Sequence, residues 1–321
     1  MSERTRVAIA CQGGGSHTAF TAGVLKRLLR EWDDDYRLVG ISGTSGGAFN
    51  ALAAWYGLVT ADERRAIELL DALWADLAAD TALDRLLNDW TVWLSRVERT
   101  GVPIPRVSPY LAPGARMGQE RIRRVLERHI DFEAVPDLCE RTAPELVVGT
   151  VDINAGVFET FTNEDVTPEA VLASSALPTL FPAVEIDDHY HWDGLFSQNP
   201  PVDDLLTVDA GRKPEELWVI QINPQERAGE PTSVEEIADR RNELAGNLSL
   251  NQELRVVERV NDWIEEGHLP ESDFQRTEIR RIEMDRTYTA ATKVDRTPGF
   301  IDELMALGER RAAEFVGADG A

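Results

Sequence analysis

Short apolar runs that end in glycine-rich turns open the chain. Arg6 to Cys11 is a β-branched apolar run followed by three glycines, and Leu38 to Ser42 is a second run that ends at Gly43. Each run is followed by apolar side chains at helical spacing, over residues 19–30 and 48–57. The order strand, glycine loop, helix, strand, glycine turn, helix predicts a parallel α/β sheet, whose ligands bind at the carboxyl ends of the strands.

The remaining pattern continues the alternation of strands and helices. Residues 61–130 have mostly helical periodicity. The later predicted strands are 145–153, 157–161, 217–222 and 277–284, and the later predicted helices are 168–175, 233–266 and 300–315. Asn154-Ala155-Gly156 predicts a hairpin between the first two of these strands. No linker with a shift in composition separates them, so we predict a single α/β domain over residues 1–321.

The charge balance narrows the classes of partner. The chain has 57 Asp and Glu against 33 Lys and Arg, a formal net charge of -24, and its lysines are Lys26, Lys213 and Lys293. So acidic a surface repels nucleic-acid backbones, so we expect no nucleic-acid partner. Two explanations of the acidity stay open: adaptation to high salt, where screening relieves self-repulsion, and an ordinary acidic protein from a GC-rich genome. Transient contact with a membrane or granule surface would have to be apolar or salt-assisted.

The N-terminus and the cysteines bear on localisation. The first residues carry no long apolar stretch after their charges, which is unlike a signal peptide, and no apolar run approaches the roughly 20 residues of a membrane span. Cys11 and Cys139 lie far apart without metal-type spacing, which fits a reducing compartment. We therefore expect a cytoplasmic protein. The sequence indicates no cofactor and does not indicate an oligomeric state.

A G-x-S-x-G sequence from Gly43 to Gly47 is the first motif with chemical meaning. It lies between a predicted strand and a predicted helix, where a strained turn lifts the oxygen of Ser45 out of the sheet and the flanking glycines avoid clashes. The following helix points its positive end at the serine, which favours alkoxide character. In this context the pentapeptide predicts a nucleophile.

Gly13, Gly14 and Gly15 form the second motif. Three glycines at a helix start expose backbone N–H groups that hold an anion. A dinucleotide fingerprint would need glycine where Thr18 stands, and a phosphate-binding P-loop would need a Lys that the loop lacks. An oxyanion hole is the interpretation that remains, with a tight turn that binds no ligand as the alternative.

Asp193-Gly194 completes a set of three motifs. An isolated Asp-Gly is usually only a turn. With the glycine loop and the serine turn, however, it resembles the patatin-like phospholipases, which have a glycine-rich oxyanion loop, a G-x-S-x-G elbow and a D-G-[GA] motif. Here Leu195 takes the third place of the last motif. The stretches AFTAGVLKRL, ASSALPTLFPAV and LWVIQINP also resemble the family.

The resemblance implies a three-layer α/β/α fold with a mostly parallel central sheet. The catalytic core would span about residues 6–224, followed by a helical and strand extension over about 225–321. Ser45 would be the nucleophile, Asp193 the base, and the amides of Gly13, Gly14 and Gly15 the oxyanion hole. The family usually has Lys or Arg at the position of His17 and Gly at that of Thr18.

Three functions stay open. The first is hydrolysis of phospholipid, lysophospholipid or glyceride esters. The second applies the same chemistry to an intracellular storage polyester such as polyhydroxyalkanoate, and the third is a non-catalytic lipid-binding module. His17, His191 and Trp192 are candidates for the pocket wall. For His191, as for His189, a packing role is the alternative.

Two rival chemistries rest on histidine. A Ser-His-Asp triad of the α/β-hydrolase type would place the nucleophile later in the sheet, so that fold is disfavoured. His189 and His191 could form a metal pair, but they lack a third ligand at sensible spacing, so we expect no metal.

Overall fold

One mixed sheet organises the molecule, a computed structural model that describes residues 4–99, 107–139, 143–207, 212–270 and 273–318. Within these residues the sheet has eight strands. They are β1 (Thr5–Cys11), β2 (Tyr36–Thr44), β3 (Glu145–Asp152), β4 (Val157–Thr162), β5 (Val184–Ile186), β6 (His189–Asp193), β7 (Glu216–Gln221) and β8 (Glu278–Glu283).

The strand order is β5-β6-β3-β2-β1-β7-β8, with β4 paired to β3. The run from β3 through β2, β1 and β7 to β8 is parallel, whereas β4 and β6 pair with β3 in the antiparallel sense and β5 pairs antiparallel with β6. The predicted mostly parallel sheet and the predicted hairpin around residues 154–156 are confirmed. The end of β3 pairs with β6, which sets Thr150 opposite Asp193.

The longer helices agree with the predicted pattern to within a few residues, whereas two four-residue helices, Val135–Leu138 and Asp203–Leu206, were not predicted. The helices are α1 (Ala19–Arg30), α2 (Gly46–Thr60), α3 (Glu63–Leu77), α4 (Ala82–Arg99), α5 (Pro113–His129), α6 (Val135–Leu138), α7 (Pro168–Ser174), α8 (Asp203–Leu206), α9 (Val234–Glu265) and α10 (Pro298–Ala318). The longest, α9, begins with a capping box in which the Ser233 hydroxyl accepts from the Glu236 N–H and Glu236 accepts from the Ser233 N–H. Among the described helices, none has the length and apolar character needed to cross a membrane.

Strand alternation separates two apolar layers, one on each face of the sheet. Val7 and Ile9 of β1 face the larger core, which includes α1, α2, α3 and α10. Ala8 and Ala10 face a smaller core with Leu250 of α9. Because successive side chains of a strand point to opposite faces, a strand that is apolar throughout is buried on both sides. The predicted three-layer α/β/α architecture is therefore confirmed.

The segment expected as a C-terminal extension contributes to the same sheet and the same core. β8 runs parallel to β7 over six residue pairs. α10 crosses α1 at glycine contacts, since a methyl group on Gly23 would lie 2.0 Å from the carbonyl oxygen of Met305, and one on Gly308 would lie 2.0 Å from that of Phe20. The two helix backbones thus touch directly.

Candidate active site

Ser45 occupies the turn between β2 and α2 in a strained conformation. Its backbone has φ 57° and ψ -129°, a left-handed region that non-glycine residues rarely adopt. The flanking glycines are required by close approach: a methyl group on Gly43 would lie 2.4 Å from the carbonyl of Gly47, and one on Gly47 would lie 2.2 Å from the carbonyl oxygen of Cys11. The local sequence therefore leaves one sharp path for the chain, with Ser45 at its apex.

A hydrogen-bond relay fixes this turn from the neighbouring strand. The Ser45 N–H donates to Ser174 Oγ at 2.8 Å, and the Ser174 hydroxyl donates to the carbonyl of Gly149 at 2.7 Å. The carbonyl of Ser45 accepts from the amides of Ala48 and Phe49, so α2 begins at the serine itself. The N-terminal end of α2 consequently points toward the Ser45 side chain. Sequence reasoning did not single out Ser174, because a serine in the middle of ASSALP carries no signal of its own.

Asp193 lies at the end of β6, buried beside Ser45. The two residues come from chain segments almost 150 positions apart, and the structure brings them close together, so that the Ser45 side chain opposes the rise in the pKa of the Asp193 carboxyl. Asp193 Oδ1 also accepts from the Leu195 N–H at 2.9 Å. Burial raises the pKa of Asp193 to about 7, against the opposing effects of the Leu195 N–H, Ser45 and Lys293. A carboxyl with that pKa can exchange a proton near neutral pH.

The glycine loop lies against the serine turn, but its first amide is not open. A methyl group on Gly13 would lie 2.3 Å from the carbonyl oxygen of Thr44 and 3.0 Å from Ser45 Cβ. The Gly13 N–H donates to Asn199 Oδ1 at 2.6 Å, and Asn199 Nδ2 donates to the Gly13 carbonyl at 3.3 Å. The expectation of three unfilled donors is thus corrected for Gly13. For Gly14 and Gly15, no amide hydrogen bond is recorded within the described residues.

Gln12 anchors the same loop to the end of the neighbouring strand β7 and to α9. Its Oε1 accepts from the backbone amides of Ile222 and Asn223, both at 2.9 Å, and its Nε2 donates to Asn247 Oδ1 at 3.0 Å. Gln12 is fully buried. A buried amide with all these partners fixes the loop relative to β7 and α9. Because Gln12 stands directly before the three glycines, its place in the sequence could have indicated this anchoring role.

His17 and Thr18 take structural roles at the loop. His17 is buried, its Nε2 is hydrogen-bonded to Thr292 Oγ1 at 2.8 Å, and its ring contacts Tyr288. Burial, assisted by Lys293, holds the pKa of His17 well below its ordinary value, so the ring is neutral. The Thr18 hydroxyl donates to the carbonyl of Gly15 at 2.7 Å, which closes the turn.

His191 and Trp192, predicted for the pocket wall, lie on opposite faces of β6. His191 is buried, with Nε2 hydrogen-bonded to Glu159 Oε2 at 2.6 Å and its ring edge-on to Phe161. Trp192 is half-buried and pairs in register with Val151. The recorded partners of His191 therefore belong to the β3–β4 hairpin and not to Ser45.

Every histidine of the chain has a recorded partner other than Ser45. All five lie in described segments. Their partners are Thr292 for His17, Asp76 for His129, Asp152 for His189, Glu159 for His191 and Glu266 for His268. The Ser45 side chain instead affects the pKa of a carboxyl, that of Asp193.

His189 and His191 were not expected to bind a metal, because the sequence offers no third ligand at sensible spacing. The structure corrects that reason. Asp152, Glu159 and His191 place one ligand atom each within 4.8 Å of one another. Within this group His191 is hydrogen-bonded to Glu159 at 2.6 Å, and Asp152 is hydrogen-bonded at 2.5 Å to His189, which lies outside the group. We assign no metal to these residues.

A serine on a strained strand-to-helix turn, beside a buried carboxyl and a glycine loop, is an arrangement suited to acyl transfer in an α/β protein. The patatin-like phospholipase family model matches residues 9–206, more than half of the chain. The chain therefore belongs to the patatin-like phospholipase family, and this membership supports a lipid hydrolase.

Solved structures show similarity at low sequence identity. VipD from Legionella pneumophila is 15% identical, with a TM-score of 0.46, over 98% of this chain and 67% of that one. A heterodimeric ExoU–SpcU complex from the type III secretion system of Pseudomonas aeruginosa contains a chain that is 13% identical, with a TM-score of 0.35, over 97% of this chain. The present chain spans 52% of that matched chain, about half its length. No curated protein matches the chain significantly.

Proposed function

We propose that this protein hydrolyses acyl esters of lipids, with Ser45 as the nucleophile and Asp193 as the base. One observation carries the proposal: a serine in a strained turn lies beside a buried carboxyl, and burial raises the pKa of that carboxyl to about 7. An ordinary aspartate, with a pKa near 3.8, would be too weak a base for a serine hydroxyl. Burial makes Asp193 a better proton acceptor, which is what a dyad without histidine requires.

The proposed reaction has two halves. In the first, Ser45 Oγ attacks the ester carbonyl while its proton passes to Asp193, and the resulting tetrahedral intermediate expels the alcohol, which takes the proton from Asp193. In the second, Asp193 accepts a proton from water, the hydroxide attacks the acyl-serine, and the carboxylic acid leaves as Ser45 regains its proton. Asp193 thus ends each cycle ionised, and Ser45 ends it as a free hydroxyl.

Backbone donors would stabilise the oxyanion of both intermediates. Gly14 and Gly15 offer amides next to the serine turn, and the first amides of α2 lie directly after Ser45. Gly13 takes a supporting part, because its N–H holds Asn199 and so keeps the loop against the turn.

The proposed substrates are phospholipid, lysophospholipid or glyceride esters. Family membership favours a lipid, and nothing in the site discriminates among these head groups. A storage polyester offers the same ester bond to the same dyad, so release of hydroxy acid from native granules, in place of fatty acid from mixed lipid extracts, would reassign the substrate but keep the chemistry. We propose a cytoplasmic enzyme that meets its substrate at a membrane or granule surface.

The direct test is substitution of the nucleophile. We expect Ser45→Ala to lower kcat on a medium-chain p-nitrophenyl ester by a thousandfold or more, roughly the loss seen when a covalent nucleophile is removed. Ser95→Ala, a partly exposed serine on α4, is the control and should keep wild-type activity. A fluorophosphonate probe should label the wild type once per chain, at Ser45, and should leave Ser45→Ala unlabelled.

Two results would count against the proposal. Full activity in Ser45→Ala would remove the nucleophile. Absence of both turnover and labelling in the folded wild type, together with binding of lipid, would instead support a lipid-binding module that has kept the fold.

A further inference from the structure

A lysine from outside the family-matched region lies directly on the glycine loop. Lys293 belongs to the 3-10 turn Ala290–Val294, which precedes α10. A methyl group on Gly15 would lie 2.2 Å from the carbonyl oxygen of Lys293, and one on Gly14 would lie 3.6 Å from its Cε. Gly15 also has φ +60°, so a side chain is excluded there by both strain and contact. The turn that carries Lys293 is therefore packed on the loop with no space between them.

Two side-chain amides orient the ammonium group. Lys293 Nζ donates to Asn223 Oδ1 at 2.9 Å and to Asn242 Oδ1 at 2.6 Å. Asn223 follows β7 and is itself buried, and Asn242 lies on α9. Three elements of the second half of the chain, β7, α9 and the 3-10 turn, thus place one cation at the loop.

The loop has no cation of its own. Between Arg6 and Lys26 the sequence contains neither Lys nor Arg. His17 cannot supply the charge, because burial and the adjacent ammonium hold its pKa well below the ordinary value. Lys293 is also the cation that opposes the rise in the pKa of Asp193 caused by burial. This positive charge, which lowers the pKa of the proposed base, comes from a residue about one hundred positions further along the chain.

We propose that Lys293 is a positioning residue of this site, whose ammonium stabilises negative charge on Asp193 and on the ester oxygen that develops at the glycine loop. This inference rests on the proposed function. It predicts that the C-terminal segment takes part in the chemistry as well as in the fold. Loss of the Lys293 ammonium should therefore change the pH at which Asp193 is ionised.

Other charged and titratable groups surround this pair. Asp193 faces the Ser45 hydroxyl, the Leu195 N–H and Lys293. The small cavity beside Lys293 is lined by His17, Asp239, Glu243 and Tyr288 among others. Glu243 is bound by Arg227 and Arg240, each at 3.1 Å, and Asp239 accepts from the Ala290 N–H at 3.0 Å. These contacts of Glu243 and Asp239 do not involve the Lys293 ammonium, so we expect Lys293→Met to keep them.

The experiment compares Lys293→Met, which keeps the stem and removes the charge, with Lys293→Arg, which keeps the charge. kcat and KM for p-nitrophenyl butyrate are measured from pH 5.5 to 9. For Lys293→Met we expect the acid limb of kcat/KM to move upward by about one pH unit, hence about tenfold lower activity at pH 6, with KM nearly unchanged because the ester is neutral. Lys293→Arg should restore most of the wild-type midpoint.

Lys213→Met is the matched control, since Lys213 donates to the carbonyl of Asp273 away from the loop, and it should keep the wild-type midpoint. Circular dichroism checks the fold of each variant. If Lys293→Met does not fold, Asn242→Asp places a carboxylate against Nζ and should raise the midpoint in the same direction.

A wild-type midpoint in folded Lys293→Met, or in Asn242→Asp where the first variant does not fold, overturns the inference. The proposed function fails in a different way, through a wild-type protein with no turnover that depends on Ser45. The two failures are therefore separated within one set of measurements.

Discussion

Two aspartates on paired strands, Asp152 of β3 and Asp193 of β6, are shielded from solvent to a similar degree, at 4% and 1% exposure. By register they lie on the same face of the sheet, because Asp152 pairs with His191 and Asp193 with Thr150. Their pKa values are nevertheless moved in opposite directions, to about 2 for Asp152 and about 7 for Asp193. Solvent exposure alone does not account for this difference.

The partners and the depth of each carboxyl account for it. Asp152 accepts from the backbone amides of Asn154 and Ala155, at 2.8 and 3.0 Å, and is hydrogen-bonded to half-exposed His189. These donors stabilise the ionised form and lower the pKa. Asp193 has one backbone donor and a neutral hydroxyl deep in the protein, so burial dominates. Neighbouring carboxyls with separated pKa values are suited to different tasks: Asp152 fastens a hairpin, and Asp193 is available for proton transfer.

The largest expected contrast is in activity. Asp193→Asn removes the proposed base and should lower kcat by about a thousandfold, whereas Asp152→Asn should stay within about threefold of wild type, since it changes a hairpin contact and not the dyad. Ester turnover by both purified variants gives the measurement. If the two variants lost similar amounts of activity, the proposed division of roles between Asp152 and Asp193 would be wrong.

The pH dependence should follow Asp193 alone. Because the base must be ionised, kcat/KM should rise about tenfold per pH unit below a midpoint of about 7 and level off above it. The control is Glu253→Gln, since burial also raises the pKa of Glu253 to about 7 although it only caps α8 through the Val202 and Asp203 amides. If Glu253→Gln shifts the midpoint of kcat/KM, the acid limb reports the ionisation of Glu253 and not that of Asp193.

Stability should respond to the two aspartates with opposite signs. The pKa of Asp193 is raised on folding, so its favourable contribution is present below about pH 4 and is lost as the pH rises through about 7. Asp193→Asn should therefore be more stable than wild type at pH 8, by up to about 4 kcal/mol, since one pKa unit corresponds to about 1.4 kcal/mol.

For Asp152, whose pKa is lowered on folding, the contribution is present above about pH 4 and lost as the pH falls through about 2. Asp152→Asn should be destabilised at pH 8 and approach wild type in acid. Urea unfolding at pH 8, pH 4 and pH 2 measures both variants: the difference from wild type should change between pH 8 and pH 4 for Asp193→Asn, and between pH 4 and pH 2 for Asp152→Asn. Differences that do not change over these intervals would contradict the opposite linkage.

The smallest expected effect concerns the serine side of the dyad. Ser174→Ala removes the acceptor of the Ser45 N–H and should cost about 1 kcal/mol of stability, with a moderate fall in kcat as the turn loosens. The acid limb should keep its midpoint, because Asp193 is untouched. Ser175→Ala, which loses only a local bond to the carbonyl of Leu172, serves as the comparison. If Ser174→Ala shifts the midpoint of the acid limb of kcat/KM, the hydrogen bonds through Ser174 also affect the pKa of Asp193.

The order of elements and the serine turn could be predicted because their signals are local. Continuous apolar runs and helical spacing indicate β1, α1, β2 and α2, and the glycine turns mark where side chains can emerge from the sheet. Asp193 required the combination of three motifs, since Asp-Gly by itself is a turn. The predicted roles of Ser45 and Asp193 stay predictions until the variants are measured.

The supporting contacts could not be predicted, because they join segments far apart in the chain. Asn199 meets Gly13 across 186 residues, and Gln12 meets Asn247 across 235. Contacts of this kind also determine three other features. They are the hydrogen bond that occupies the Gly13 N–H, the carboxylate partners of His189 and His191, and the placement of Lys293. The positions of side-chain amides and carboxylates in the sequence follow no period that would predict their hydrogen-bond partners.

The placement of β7 and β8 has a practical consequence for work with shorter pieces of this protein. The family-matched region ends at residue 206, before β7, whose ladder covers the outer edge of β1 from Val7 to Cys11. A fragment cut at that boundary would present a bare, apolar strand edge of five residues to solvent, and such edges recruit other chains. We expect a protein trimmed to the matched region to precipitate on expression.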